Sequence, residues 1–340
     1  MRRKHPLLWY YGSKIFTYLF TIWAAFTITF FLFRSIPGDP VSAWAGQLQQ
    51  RYAVSMPNGD AVVQEYRKKF GLDKPVHEQY LNWMYNAIFK RELGPSFVNF
   101  PRPVEELLAE RVPWTIGLLS FSIVIAWVVG LLLGTIAGWR RSSWYSGTLT
   151  NLSVVLSQIP PYLVALVLVL VFGYWWKILP AQGAWDAQYA KGFNLPFILS
   201  ALKHAILPAL SLVLVSMAGW ILSTRSLIVN ILGEDYLLYG ESKGLPEGQL
   251  MFRYGLRNAL LPQATGLALS LGFIMSGQLL IETIFLYPGM GELLARATGS
   301  YDFNTIMGCI VLAIVTVMTA SLIVDLLLPI IDPRVRAMVS

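Results

Sequence analysis

The side chains that most often perform chemistry are few in this sequence, and they are scattered. The three histidines, His5, His77 and His204, lie far apart, and none stands near a cysteine or a cluster of carboxylates. The single cysteine, Cys309, lies in an apolar stretch, which favours packing as a small hydrophobic side chain. The sequence therefore predicts no metal site, no catalytic site and no cofactor bound by this chain.

Sequence signatures for binding nucleotide phosphates are also missing. No Gly-Lys-Ser or Gly-Lys-Thr string occurs, so the glycine-rich loop that cradles ATP phosphates is not encoded. No Ser/His/Asp set and no His-Glu-x-x-His motif is visible. We therefore expect that this chain is not an enzyme and does not bind ATP itself.

Two carboxylates, Glu282 and Asp325, fall within or near apolar runs. A charge at such a depth is costly and usually faces the interior of a helix bundle. Glu282 lies near the end of its predicted helix, where we expect hydration, and Asp325 is placed to pair with Arg334 or Arg336. A proton or ion relay needs a chain of such groups, so two isolated acids favour a structural role.

A polar, amphipathic segment at residues 231–262 is the most informative part of the sequence. Glu234 and Asp235 suit the positive end of a helix dipole and predict a helix start. The Lys-Gly-Leu-Pro string at 243–246 predicts its end, and a second short helix is expected at 247–258. Two interpretations stay open: the segment is a docking element for a soluble partner protein, or it is an interfacial helix lying on the lipid.

The composition places these residues in a membrane protein. Of 340 residues, 55% are hydrophobic and only 13% are charged, whereas a soluble domain carries about 25% charged residues. The net charge of +7 is then first a signal of topology. No basic stripe lies on a soluble domain, so we expect contact with a lipid bilayer and not with nucleic acid.

Six apolar runs predict six membrane-spanning helices, since a span needs roughly 20 apolar residues. The predicted spans are residues 15–33, 112–138, 148–176, 204–224, 262–285 and 305–331. The first run ends in Phe-Phe-Leu-Phe-Arg, without the small residues of a signal-peptidase site, so we expect it to be retained.

The charges predict the orientation of these spans. An even number of spans places both termini on one side, and that side holds twelve basic and five acidic residues. The two short loops opposite, at 177–203 and 286–304, hold four basic residues together. Because basic residues accumulate in cytoplasmic loops, we expect a multi-pass protein of the cell membrane with both termini in the cytoplasm.

The third predicted span contains a pair of prolines. Pro161 lacks a backbone donor and its ring crowds the preceding turn, so a kink is expected there. Polar residues stand beside the pair, and a gating or pore-lining kink and a fixed packing kink both remain open. The residues concerned are Ser157, Gln158, Pro160 and Pro161.

The second predicted span carries glycines at every fourth position. Gly130, Gly134 and Gly138 share one face of a helix. Small residues at this spacing let two helices approach closely in a membrane. We interpret this face as a packing surface.

Several strings, taken in order, resemble a known family of transport proteins. The chain is similar to the binding-protein-dependent permeases of the dipeptide/oligopeptide/nickel subfamily of ABC importers. It departs at 238–241, where that subfamily usually has small residues or arginine. The strings that carry the resemblance are Ile-Pro-Gly-Asp-Pro at 36–40, Phe-Gly-Leu-Asp-Lys-Pro at 70–75, Leu-Gly-Pro-Ser-Phe at 93–97, Val-Glu-Glu-Leu-Leu-Ala-Glu-Arg at 104–111, Leu-Pro-Ala-Leu at 207–210, the Glu-Asp-Tyr…Arg-Asn-Ala-Leu-Leu-Pro loop at 234–262, Glu-Thr-Ile-Phe-Leu-Tyr-Pro-Gly-Met-Gly at 282–291, and Asp325 with Asp-Pro-Arg-Val-Arg at 332–336.

The resemblance implies an all-α integral membrane protein with the six-helix transmembrane domain of a type I ABC importer. A helical extracytoplasmic insertion would follow the first span. The implied organisation is a cytoplasmic segment and first span at 1–34, an extracytoplasmic helical region at 35–111, a five-helix core at 112–331 with a coupling loop at about 226–261, and a cytoplasmic tail at 332–340.

The resemblance also implies a mechanism and its partners. They are a second homologous permease, two cytoplasmic ATPase subunits that bind ATP and Mg²⁺, and an extracytoplasmic solute-binding protein. The loop would sit in a groove of the ATPase and pass its closure to the spans. The implied contact residues are Gly240, Glu241, Ser242, Lys243, Gly244, Leu245 and Pro246.

The identity of the solute stays open at this stage. The resemblance favours di- or oligopeptides, with oligosaccharides or nickel complexes as alternatives. A self-sufficient secondary transporter is a further alternative, but it would normally show internal repeats or a chain of charges within the membrane.

Overall fold

The computed structural model describes residues 6–35, 46, 64–65, 67–68, 71–272, 274 and 278–331. Within these residues the regular elements are helices, and one isolated β-bridge joins Pro95 to Pro103. The string at 36–40 and the tail at 332–340 lie outside the described residues.

Twelve helices of the described ranges are numbered here along the chain. Three of them continue into a π-helical stretch, at Asn86–Lys90 after α2, Val169–Trp175 after α5 and Leu250–Leu256 after α8. The helices are α1 Pro6–Ser35, α2 Val76–Tyr85, α3 Val104–Trp139, α4 Trp144–Ser157, α5 Pro161–Leu168, α6 Leu195–Ile231, α7 Asp235–Ser242, α8 Glu247–Gln249, α9 Arg257–Gly272, α10 Leu279–Ile284, α11 Met290–Gly299 and α12 Phe303–Ile331.

Four of the described helices are long and apolar enough to cross a membrane: Trp9–Ser35, Val104–Trp139, Leu195–Ile231 and Phe303–Ile323. They correspond to the first, second, fourth and sixth predicted spans. The third predicted span is a pair of helices bent by 98°. If the two helices together form one span, the described residues contain five crossings. The fifth predicted span consists of α9 and α10, with residues 273 and 275–277 between them outside the described residues.

Helices α3 and α6 are among those that begin well before their apolar runs. Helix α3 starts at Val104, inside the segment assigned by sequence to the extracytoplasmic region. Helix α6 starts at Leu195, where the Asn194 side chain accepts a hydrogen bond from the Phe197 backbone at 2.9 Å. Both starts carry polar residues, so hydropathy alone places the boundaries too late.

The chain divides into two compact units. The first comprises Met1–Thr115, Met275–Leu279 and Pro288–Ser340. The second comprises Ile116–Ile274 and Leu280–Tyr287.

In the first unit, α1 packs along α12 in antiparallel fashion. The Lys14 ammonium lies 3.0 Å from the Asp325 carboxylate, and the Tyr18 and Thr319 hydroxyls are 2.9 Å apart. Asp325 thus has an ion-pair partner, Lys14, which the sequence did not indicate. The partners proposed for it, Arg334 and Arg336, lie outside the described residues.

Asp302, which is buried, organises the loop that precedes α3 in the first unit. Its carboxylate caps the start of α12 through the Thr305 backbone N–H at 3.2 Å and hydroxyl at 2.8 Å. It also accepts from the Ser96 hydroxyl and from the Phe97 backbone N–H at 3.1 Å. The Asn304 amide holds the same loop by donating to the Pro95 carbonyl at 2.8 Å.

The core of the first unit joins the start of α3 to α11 and α12. A buried cluster includes Val104, Leu108, Leu293 and Cys309. At its edge the Glu292 carboxylate, which is almost fully buried, pairs with Arg111 at 3.2 Å and with Arg296. Pairing of this kind offsets the cost of burying a charged carboxylate.

In the second unit, the glycine face of α3 packs on α6, as the spacing predicted. A Cβ atom on Gly134 would lie 2.7 Å from both the Ile221 carbonyl oxygen and the Thr224 Cβ. A Cβ on Gly138 would lie 2.7 Å from the Ile228 Cβ. Since any larger residue would push the two backbones apart, glycine is what permits this approach.

We expect Gly134→Ala to lower the melting temperature of the detergent-solubilised chain by several degrees. The added methyl group must displace backbone atoms of α6, and overpacking of this kind costs about 1–3 kcal/mol. Gly219→Ala on α6 is the matched control because nothing lies within 4 Å of its added Cβ. An unchanged melting temperature for Gly134→Ala would contradict the packing described here.

Candidate functional site

The segment between α6 and α9 folds as a compact helical turn, and α7 is its first element. Helix α7 begins with Asp235 in its first turn and ends at Ser242. Gly244 follows with φ +74°, and its N–H donates to the Glu241 carbonyl at 2.8 Å. The Leu245 N–H donates back to Gly240 at 3.2 Å. This pair of bonds is a Schellman motif, which requires a left-handed residue at the position of Gly244.

Two residues anchor α7 to the protein. Leu237 and Gly240 are buried, whereas the residues on the other faces of this short helix are exposed. A Cβ on Gly240 would lie 2.6 Å from the Leu250 side chain. Gly240 therefore packs inside the turn, so it is not at the surface where the sequence analysis expected a contact residue.

The outer surface of α7 is apolar as well as polar. Leu238 is 56% exposed and Tyr239 is 62% exposed. The Lys243 ammonium stands 4.4 Å from the centre of the Tyr239 ring, which is a cation–π contact. Partial burial, and then the charge of Glu234, raise the pKa of the neighbouring Tyr236 phenol, which stays neutral near pH 7.

A salt bridge ties the second half of the turn to the end of α3. The Arg140 guanidinium meets the Glu247 carboxylate with two bonds, of 3.0 Å and 3.1 Å. This hydrogen bonding raises the pKa of Arg140 and lowers the pKa of Glu247. Two parallel bonds fix direction as well as distance, although the exposure of both side chains to solvent limits what the pair adds to stability.

Aromatic packing adds a second connection to α3. A Cβ on Gly255 would lie 3.0 Å from the Trp139 ring, so the indole rests on the backbone of the π-helical stretch after α8. A cleft of about 410 Å³ opens beside it. Its lining residues are Trp139, Leu232, Glu241, Leu245, Glu247 and Leu250.

The structure brings the seven predicted loop residues together on one turn but gives them different environments. Gly240 is buried and Leu245 is half-buried. The exposed members are Glu241, Ser242, Lys243, Gly244 and Pro246. The sequence did not predict that Arg140 and Trp139 contact this turn. The only signal for them was their position, as an aromatic and a basic residue directly after an apolar run.

The proline pair marks a full break in the helix rather than a kink. Helix α4 ends at Ser157, Pro160 is extended, and Pro161 is the first residue of α5. Proline suits the first position of a helix because a backbone N–H at that position would have no partner within the helix. Ser157 bonds back to the Val154 carbonyl at 2.9 Å, and Gln158 and Pro160 are exposed. Both α4 and α5 pack against α6.

Glu282, the other acid in an apolar run, is 0% exposed. The expectation that it is hydrated is therefore wrong for this chain, and Ile281 beside it on α10 is buried as well. The Glu282 carbonyl accepts a hydrogen bond from the Tyr287 N–H at 2.8 Å. Burial, and then the charge of Glu282, raise the pKa of the Tyr287 phenol.

Taken together, these features define an all-helical, multi-pass membrane protein with a structured polar turn between two of its apolar helices. Among the described residues no group of three or more histidines, cysteines and acids is placed to hold a metal ion.

Comparison with known proteins places this architecture in a family. Residues 130–337 match the family "Binding-protein-dependent transport system inner membrane component", and residues 13–119 match the N-terminal model of such components. The chain belongs to this family and is a permease of the ABC importer class.

Curated relatives resemble the chain over nearly their whole length. The oligopeptide transport system permease protein AppB of Bacillus subtilis is 31% identical over 310 residues, covering 91% of this chain and 93% of that protein. The probable D,D-dipeptide permease DdpB of Escherichia coli is 32% identical, with coverage of 91% and 92%. The dipeptide permease DppB of Escherichia coli is 30% identical, with coverage of 91% and 93%.

Proposed function

We propose that the chain forms one half of the pore of an ATP-driven importer, and that the imported solute is a di- or oligopeptide. The observation that carries the proposal is the folded turn built on α7, which is bonded to the end of α3 through Glu247 and Arg140 and exposes Leu238 and Tyr239. The names of the three relatives, which specify oligopeptide, D,D-dipeptide and dipeptide transport, support the choice of solute.

In this proposal the pore requires a second, homologous permease, and ATP and Mg²⁺ are bound by two cytoplasmic ATPase subunits. An extracytoplasmic binding protein delivers the solute. The exposed residues Glu241, Ser242, Lys243 and Pro246 form part of the surface that docks on the ATPase, with Leu238 and Tyr239 beside them. Exposed aromatic and aliphatic side chains suit the core of such an interface.

We further propose six crossings with both termini in the cytoplasm and the helical region at 35–111 outside. The four long apolar helices, the bent pair α4–α5, and the α9–α10 region would supply the six. The Lys14–Asp325 ion pair supports an even number, because it places the start of α1 beside the end of α12. The remaining divisions follow the sequence: a core at 112–331 with its coupling loop at about 226–261, and a cytoplasmic tail at 332–340.

ATP hydrolysis by the assembled complex in liposomes tests the function and the solute together. The binding protein is loaded in turn with a dipeptide and with an oligosaccharide. We expect hydrolysis to rise several-fold with the peptide-loaded protein and to stay basal with the sugar. Stimulation by the oligosaccharide alone would overturn the peptide assignment, and solute movement by this chain without any ATPase would overturn the importer itself.

Gly244→Val should uncouple hydrolysis from transport while the chain remains inserted. A β-branched residue in the left-handed conformation costs about 1–2 kcal/mol, so the Schellman turn must deform. Gly244→Asn is the matched control, since asparagine tolerates this conformation. The ratio of peptide imported to ATP hydrolysed is the measurement, and a normal ratio for Gly244→Val would refute the coupling role.

Replacing both Pro160 and Pro161 with alanine should slow transport if the break at α4–α5 takes part in gating. Alanine permits the helix to continue and removes the constraint that separates the two segments. Pro113→Ala, inside the unbroken helix α3, is the control. Unchanged transport with unchanged stability would leave only a packing role for the break.

Gln249→Cys should react with a membrane-impermeant maleimide only from the cytoplasmic side. The native Cys309 is buried and should label slowly. Lys191→Cys, on the loop at 177–203, provides the opposite control because Lys191 is exposed and should label only from outside. Labelling of Gln249→Cys from outside would reverse the proposed topology.

A further inference from the structure

We propose that a cavity at the end of α1 binds the phosphate headgroup of an anionic phospholipid. The cavity lies within the first unit and measures about 580 Å³, a size typical of small-molecule sites. No residue of the α7 turn lines it, and the coupling mechanism proposed above does not involve it.

The charges around the cavity favour an anion. Three cationic side chains line it, and they come from different places in the chain: Arg34 from the last turn of α1, Lys74 from the segment before α2, and Lys90 from the π-helical stretch after α2. One carboxylate, Glu92, stands among them, so the described lining carries a net positive charge.

Two of these cations keep their charge available to a ligand. Within the described residues neither Lys74 nor Lys90 forms an ion pair. The Lys90 ammonium lies 5.7 Å from the centre of the Tyr85 ring, a neutral partner. Asn82 and Asn86 also line the cavity and add amide donors that suit phosphate oxygens.

The position of the cavity points to a lipid rather than a soluble anion. The part of α1 that could cross a membrane, Trp9–Ser35, is 27 residues long, or about 40 Å at 1.5 Å per residue, so its last turn, which follows the apolar run at 15–33, reaches beyond a hydrocarbon core of about 30 Å. Arg34 in that turn therefore lies at headgroup depth. Phe33, directly before Arg34, and Phe30, one turn earlier on α1, line the cavity beside it, where acyl chains begin.

The neighbouring helix has the exposed surface of an interfacial element. Leu81 on α2 is 62% exposed, and Phe89 in the π-helical stretch is 74% exposed. The other side of α2 packs on α1, where the Tyr80 and Thr27 hydroxyls are 2.8 Å apart. A helix with one docked side and one bare apolar side lies naturally at the membrane surface.

Quenching of Trp83 fluorescence provides the test, because this indole lines the cavity. Phosphatidylglycerol with brominated acyl chains is titrated into the full-length chain in neutral detergent, and phosphatidylcholine with the same chains is titrated in parallel. The contribution of the cavity is the quenching that disappears in the Trp83→Phe variant. We expect phosphatidylglycerol to quench this component at a concentration at least tenfold lower than phosphatidylcholine.

The double variant Lys74→Gln/Lys90→Gln should weaken binding of phosphatidylglycerol by about fivefold per lysine, since each cation near an anionic lipid contributes about 1 kcal/mol. Both lysines are exposed, so their loss should leave the melting temperature unchanged. Lys191→Gln is the matched control, because Lys191 also stands over an aromatic ring, that of Trp185 at 5.4 Å, and does not line the cavity.

Three outcomes would overturn the proposal. One is equal quenching by the two lipids, and another is unaltered affinity in the double lysine variant. The third is displacement of phosphatidylglycerol by inorganic phosphate at an equal concentration, which would make the cavity a site for free anions. Weak competition by phosphate, together with loss of affinity in the lysine variant, would support a lipid site.

Discussion

The hydrocarbon interior of the membrane offers no partner to a backbone N–H or C=O group, and the structure is organised around that constraint. Each unsatisfied group costs several kcal/mol there, so a single chain crosses as helices whose bonds are internal. Side chains then decide only how the helices meet. The close approach of α3 and α6 shows this, because Gly134 and Gly138 remove side chains where the two backbones come nearest.

The same constraint explains how the exceptions are built. Where α4 gives way to α5, Pro161 occupies a position that needs no backbone donor, and the Gln158 and Ile159 N–H groups bond back to the preceding turn. Where the chain enters α12, Asp302 supplies the acceptors that the first turn lacks and holds the Ser96 loop with the same carboxylate. An interruption of the helices is thus accompanied by local hydrogen bonding.

The sequence predicted those features whose causes are local. The apolar length of α1, the four-residue spacing of Gly130 and its companions, and the Gly-Leu-Pro stop after α7 all act within one or two helical turns, and the structure confirms them. Resemblance to a family then assigned the chain to ABC importers, which the comparisons bear out.

Features that depend on distant partners could not be predicted in this way. Glu247 forms a salt bridge with Arg140, which is 107 residues away in the sequence. Asp302 accepts a hydrogen bond from Ser96, which is 206 residues away. Nothing in the local pattern distinguishes these residues from ordinary surface charges. The burial of Gly240 has the same origin, since it depends on where Leu250 returns after the turn, and it moves the proposed contact from Gly240 to the exposed side chains around it.

The anchoring of α7 bears directly on how a pore could follow an ATPase. A turn that merely lay on a partner would absorb its movement by bending, and the spans would not respond. Here Leu237 is buried, Gly240 packs against Leu250, and Glu247 is bonded to Arg140 at the end of α3. In the proposed mechanism, these short, directional contacts would carry a displacement of the exposed surface of α7 to α3. In this mechanism the buried side chains make the turn rigid, and the exposed side chains bind the ATPase. Substitutions of buried residues should therefore weaken the transmission of movement, whereas substitutions of exposed residues should weaken docking.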